Sequence, residues 1–179
     1  MTDLADQFNV HWLRHASPFI NQHRDRTFVV LLSGEVLDHP NAQSILHDIV
    51  LLHSLGVRIV LVHGSRPQID AALARQGIRS DFKDGYRITT KEAMNVVAQA
   101  VGQKRMRIEA KLSTDMEASP MRGAKVRVTS GNFIIARPRG VVNGTDFAYS
   151  GEVRKVDAPG IRHALDNRNL VLISHIGYS

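Results

Sequence analysis

The sequence has 179 residues, a length suited to one domain and marginal for two. It contains no cysteine, which excludes a disulfide scaffold, cysteine-ligated metal and thiol catalysis within the chain. The formal net charge of +6 comes from dispersed basic residues; even Lys104, Arg105, Arg107 and Lys111 fall on more than one face of a predicted helix, and no aromatic side chains interleave with them, so no nucleic-acid partner is expected and the mild positive charge suits small acidic ligands.

In chain order, the opening MTDLADQFNVHW lacks a basic stretch followed by an apolar run, so no secretory signal is expected. No apolar run approaches the roughly 20 residues needed to cross a bilayer, and the expectation is a cytoplasmic protein with no membrane partner. Residues 1–26 read as a helical segment with Phe8, Val10, Trp12, Leu13, Phe19 and Ile20 as apolar anchors, kinked or restarted at Pro18. Such a leading helix can reach a partner chain; Trp12, Leu13, Phe19 and Ile20 are the interface candidates.

Thr27–Leu32 (TFVVLL) is apolar nearly throughout, the pattern of a strand covered on both faces. A helix is predicted over Asn41–Ser54 from the spacing of Ile45, Ile49, Val50 and Leu52, then a strand over Val57–Val62, a turn at His63-Gly64-Ser65-Arg66-Pro67 and a helix over Gln68–Gln76. Strand, helix, strand and helix joined by short loops make a βαβα unit in a mostly parallel sheet. Ile78–Tyr86 is polar and turn-rich around Asp84-Gly85. A long helix over Thr90–Leu112 opens on a capping box of Thr89 and Glu92, with Met94, Val97, Val101, Ile108 and Leu112 inward and an interruption at Gly102. After a loop at Ser113–Gly123, Lys125–Thr129 and Phe133–Arg137 read as two strands joined in a hairpin at Ser130-Gly131-Asn132. An irregular loop over Pro138–Phe147, a strand near Gly151–Val156, a helix over Ala158–Asp166 with Asp157 as N-cap, and a strand over Leu170–Ser174 complete the pattern. The chain ends directly after this buried-type strand, from which an incomplete α/β domain is expected.

The loops after the first two strands stand where ligands bind in parallel sheets. Gly34 lies in one; Gly64, Ser65 and Arg66 lie in the other, where backbone N–H groups and a helix N-terminus can hold an anion and Arg66 can add a bidentate contact. The same glycines equally serve tight turns, and Arg66 a surface. Arg87, between a glycine loop and a capped helix, suits a carboxylate ligand or a surface ion pair. Asn143 and Asp146 form a polar cluster that reads as a ligand loop or a plain turn. His63 and His175 stand at strand ends, suited to structural hydrogen bonds. No histidine spacing fits a metal, no Walker or dinucleotide fingerprint occurs, and no serine sits in a GxSxG elbow.

The segments LLSGEVL, VLVHGSRPQID, GYRITT, VVNGTDFAYSGEVRKVD and LVLISHIGYS occur in the order seen in the amino-acid-kinase family. Within it they resemble the kinase-like domains of N-acetylglutamate synthases, over essentially the whole chain. The resemblance implies a three-layer αβα sandwich, here truncated: residues 1–26 as an oligomerisation arm and residues 27–179 as the first part of the kinase-like domain. It implies a regulatory module responsive to L-arginine in a homo-oligomer. A separate acetyltransferase domain would move acetyl from acetyl-CoA to L-glutamate, leaving no catalytic residue and no cofactor in this chain. Gly34, Gly64, Ser65, Arg66, Arg87, Asn143 and Asp146 match ligand-binding positions that are vestigial or regulatory in a synthase, Arg87 matching the arginine that contacts the acetylamino-acid carboxylate in the kinases. Those kinases end their first strand in a lysine and paired glycines, where this sequence has Ser33-Gly34-Glu35, and Ser65-Arg66 replaces part of a glycine-rich turn. An acetylglutamate kinase and a stand-alone amino-acid-binding regulator are the alternatives.

Overall fold

The computed structural model describes residues 2–113, 123–124 and 126–179, with residues 2–9 as backbone alone. The side chain of Phe8, most of the expected loop at Ser113–Gly123 and the strand start at Lys125 lie outside the described residues.

Helix α1 spans Thr2–His23 and strand β1 spans Thr27–Leu32. Helix α2 covers Ala42–Ser54 and strand β2 Arg58–His63, followed by helix α3 over Arg66–Arg75. A hairpin of β3 (Asp81–Lys83) and β4 (Tyr86–Ile88) leads to helix α4, Lys91–Ser113. Strand β5 is Arg127–Thr129 and β6 is Ile134–Pro138. A small hairpin of β7 (Val141–Val142) and β8 (Thr145–Asp146) precedes β9, Gly151–Val156. Helix α5 (Ala158–Asp166) and strand β10 (Asn169–Ser174) follow.

The central sheet has the order β1-β2-β10-β5 with every pair parallel. The apolar runs dictate this arrangement. Ile59, Leu61, Leu170 and Leu172 on the two inner strands are buried beneath Leu46, Ile49 and Val50 of α2 and Ile108 and Leu112 of α4. On the other face Val60 and Val171 pack against Ala164 and Leu165 of α5. A further cluster joins Ile69 and Leu73 of α3 to Ala93, Val96, Val97 and Val101 of α4. The side chain of Asp157 accepts a hydrogen bond from the Gly160 N–H at 3.1 Å, so it caps α5 as its sequence position predicts.

Several local expectations are corrected. Strand β1 lies at the sheet edge, and among the described residues the face of Val29 and Leu31, each 70% exposed, is left largely open, α5 packing on Val60 of β2 and Val171 of β10. Helix α1 runs unbroken through Pro18; Pro18 offers no donor to the carbonyl of Arg14, but that residue is exposed and water can serve it. Strands β5 and β6 are not partners: β5 pairs with β10, and β6 pairs antiparallel with β9 in a separate ribbon. Helix α4 is continuous across Gly102, and Thr90, not Thr89, supplies its cap, accepting from the Ala93 N–H at 3.2 Å. That register puts Ala93 rather than Glu92 at the third helical position, so no capping box forms. The turns at Asp84-Gly85 and Asn143-Gly144 each place two successive residues at positive φ, the geometry of a tight two-residue hairpin, which is why the expected irregular stretches contain paired strands.

Candidate functional site: the cleft at the strand ends

The C-terminal ends of β1, β2 and β10 come together. Gly64 is held against β1 by its N–H, which donates to the Leu32 carbonyl at 2.8 Å. A Cβ at Gly64 would lie 3.0 Å from the Gly34 nitrogen and 3.2 Å from the Ser33 Cα. A Cβ at Gly34 would lie 2.5 Å from the Pro67 Cδ and 2.8 Å from the Gln68 Oε1. Both glycines therefore serve close approach of two loops to each other, and the mouth between them is filled by the first turn of α3.

Gln68 extends this closure. Its Nε2 donates to the Gly34 carbonyl at 3.0 Å and also to Asp38. Asp38 in turn meets the buried Lys104, Nζ to Oδ1 2.7 Å, while Lys104 also donates to the Leu37 carbonyl at 3.2 Å. Burial alone would raise the Asp38 carboxyl, but the hydrogen bonds from Lys104 and Gln68 outweigh it and hold its pKa below the ordinary value. Lys104 thus ties α4 to the loop after β1 and is not part of a basic surface patch.

His63 is fully buried at the end of β2. Its Nε2 meets the Ser174 Oγ at 2.9 Å and its Nδ1 meets the Ser65 Oγ at 3.3 Å. Hydroxyls donate or accept, so the pair suits either neutral tautomer. Burial pushes the His63 pKa down to about 4 and also lowers that of His175, whose ring lies 6.1 Å away edge-on and whose Nδ1 is 3.3 Å from the His63 carbonyl. Both histidines are structural hydrogen-bonding residues at the strand ends, in line with their sequence positions.

Arg66 and Arg87 converge on one ring, with guanidinium carbons 4.4 and 4.6 Å from the Phe82 centroid. Arg87 is nearly buried and reaches Asp70 Oδ1 from NH2 at 2.6 Å and Ser80 Oγ from NH1. Arg139 lies over Tyr86 at 3.8 Å and meets Glu152 at 3.1 Å. Arg87, Thr89, Met94 and Val97 line one end of a cavity of about 930 Å³ that continues past His175 and Ile176 to Val29, Val62 and Val153 on the sheet and the β6–β9 ribbon. Asn143 sits at φ 48° in the β7–β8 turn, and Asp146 accepts from the Ala148 N–H at 2.9 Å; neither lines that cavity. Among the described residues no group of three or more histidine, aspartate or glutamate side chains is placed to hold a metal, and no helix is long and apolar enough to cross a membrane.

Sequence reasoning missed Asp70, Ser80 and Phe82. Each is an ordinary polar or hairpin residue in sequence, and only the fold of β3–β4 over the start of α3 brings them around Arg87. Gln68 and Lys104 were equally silent, since their roles depend on loops and helices distant in sequence.

A parallel sheet with ligand-type loops at its strand ends and helices against both faces defines an α/β domain of the kind that binds small ligands at the carboxyl ends of its strands. Residues 26–179 match the amino acid kinase family, and the chain belongs to that family. It is 59% identical over 170 residues to the amino-acid acetyltransferases of Ectopseudomonas mendocina and of Azotobacter vinelandii, covering 95% of this chain and 39% of each of those proteins. Two crystal structures of N-acetylglutamate synthase from Neisseria gonorrhoeae, both 36% identical and covering 95% of this chain, superpose on it. The TM-score is 0.85 for the complex with coenzyme A and L-arginine, and 0.82 for that with coenzyme A and N-acetyl-glutamate; the chain covers 40% and 38% of those structures. The chain is thus closely related to the kinase-like domain of N-acetylglutamate synthase and spans about two fifths of the relatives it matches.

Proposed function

We propose that this chain is the regulatory, kinase-like portion of an N-acetylglutamate synthase: a cytoplasmic homo-oligomer that transfers acetyl from acetyl-CoA to L-glutamate and responds to L-arginine. The observation that carries the reading is the 59% identity to amino-acid acetyltransferases over 95% of the chain, with the chain occupying 39% of their length. In the reaction the deprotonated glutamate amine adds to the thioester carbonyl, a hydrogen-bond donor stabilises the developing oxyanion, and collapse of the intermediate breaks the C–S bond and releases coenzyme A, which takes up the proton lost from nitrogen. No residue of this chain is assigned to that chemistry, which falls to a separate acetyltransferase domain.

Residues 1–26 are proposed as an oligomerisation arm and residues 27–179 as the first part of the kinase-like domain. Support for the arm comes from Trp12, Leu13 and Phe19, which are 64%, 53% and 66% exposed on α1, with half-buried Ile20 beside them. Gly34, Gly64, Ser65, Arg66 and Arg87, with Asn143 and Asp146 of the β7–β8 hairpin, are proposed as ligand-binding positions in a vestigial or regulatory role.

The test is glutamate-dependent release of coenzyme A. The complete gene product is expected to show it, with a response to L-arginine, and the 179-residue chain is expected to show none. Saturable release by the 179-residue chain overturns the division of labour, and absence of release by the complete product overturns the synthase reading. Deleting residues 1–20 is expected to lower the assembly state, and an unchanged number of subunits by sedimentation refutes the arm.

A further inference from the structure

We propose that Asp70 is a built-in counter-carboxylate, occupying the guanidinium of Arg87 and thereby denying that anchor to N-acylated amino acids and other small carboxylates. The proposal rests on the reading of Arg87 as a carboxylate-binding arginine and names the residue that silences it.

The side chain of Arg87 is 11% exposed, while its partner Asp70 is 45% exposed. The guanidinium is therefore the buried member of the pair and the carboxylate the accessible one. A nearly buried cation needs a counter-charge, because its desolvation is otherwise uncompensated. Asp70 provides that charge through one oxygen at 2.6 Å. Ser80 takes a second donor, and Phe82 lies against the guanidinium carbon. A ligand carboxylate binding bidentately needs two parallel N–H groups on one edge of the fork, and with Asp70 on NH2 and Ser80 on NH1 it would have to displace at least one of them.

Asp70 is also tethered. It projects from α3, whose first turn is fixed by Pro67 packing against Gly34 and by Gln68 bonding the Gly34 carbonyl. A tethered group acts at an effective concentration in the millimolar range or above, so a free carboxylate at lower concentration does not compete. Arg87 also lines a largely apolar cavity with Met94, Val97 and Ile176, to which Asp70, Ser80 and Phe82 do not contribute.

The experiment compares wild type, Asp70→Asn, Asp70→Ala and Asp70→Ala/Arg87→Ala in the full chain, with acetate and N-acetyl-L-glutamate as probes and chloride as control. Asp70→Asn keeps the shape and removes the charge. It is expected to bind N-acetyl-L-glutamate at least about tenfold more tightly than wild type by calorimetry. Asp70→Ala is expected to melt lower than wild type and to be raised by millimolar acetate or N-acetyl-L-glutamate, but not by chloride. The double variant is expected to show no such rescue. Equal binding by wild type and Asp70→Asn overturns the proposal, as does rescue that persists without Arg87. Failure of the synthase reading shows separately, as absence of glutamate-dependent coenzyme A release by the complete product.

Discussion

Acidification tests the buried histidine at the heart of the strand ends. His63 is fully buried, bonded to Ser174 and Ser65, with its pKa pushed by burial from an ordinary 6.5 down to about 4. Between those two values the unfolded chain binds a proton that the folded chain excludes. Stability therefore rises with pH and is lost as pH falls below 6.5 toward 4. For one group with these two pKa values, linkage gives a loss of about 2 kcal/mol between pH 7 and pH 5, and about 3 kcal/mol by pH 4. His175 and His53 are shifted the same way, and Asp38 also loses its contribution as it is protonated, so total acid sensitivity does not isolate His63. The difference from His63→Gln does, because glutamine can still bond both hydroxyls and does not titrate. Urea unfolding at pH 7 and pH 5 is expected to show wild type losing about 2 kcal/mol more than the variant over that interval. A difference below about 0.5 kcal/mol, within ordinary surface-substitution effects, refutes the buried neutral imidazole.

Three further outcomes follow from the same geometry. Gly64→Ala places a methyl against the β1 backbone at Ser33 and Gly34, and about 1–3 kcal/mol of stability is expected to be lost in urea titrations. Lys104→Ala leaves Asp38 without its cation; because Asp38 is 52% exposed and can rehydrate, the expected loss is about 2 kcal/mol, below the about 3–5 kcal/mol of a fully buried broken pair. Asp157→Ala removes the cap on α5 and is expected to lower stability by about 1 kcal/mol, whereas Asp157→Ser is expected to be near neutral.

The layer architecture was legible because the apolar runs TFVVLL, VRIVLV and LVLIS announce parallel strands, and α5 was legible to the residue because Asp157 marks its start. Pairing across long separations was not. Strand β5 has three residues and its partner β10 follows it by some forty positions, while a Ser-Gly-Asn turn nearby offered a cheaper local hairpin. The coverage of β1 was misread because an edge strand with an apolar outer face looks the same in sequence as a central one. At the site, the loops carrying Gly34, Gly64 and Arg66 and the position of Arg87 were recognisable. The state of Arg87 was not, because Asp70 and Phe82 reach it only through tertiary packing.

The closed mouth between the first two strands bears on the choice between a kinase and a regulatory module. Phosphoryl transfer depends almost entirely on positioning and on cations or backbone donors aimed at the moving phosphoryl group. The loop after β1 reads Ser33-Gly34-Glu35 and brings no cation, and Glu35 is a carboxylate whose pKa is held low by backbone and Ser33 hydrogen bonds. The nearest buried cation, Lys104, is already committed to Asp38 and the Leu37 carbonyl. Pro67 and Gln68 fill the space in front of Gly34. Arg87 is paired with Asp70, and Arg66 lies over Phe82 beside it. Together these contacts turn the polar and charged groups around the strand ends into internal ties between α3, α4, the β3–β4 hairpin and the loop after β1. Such ties favour a rigid scaffold, the property required by the division of labour proposed above.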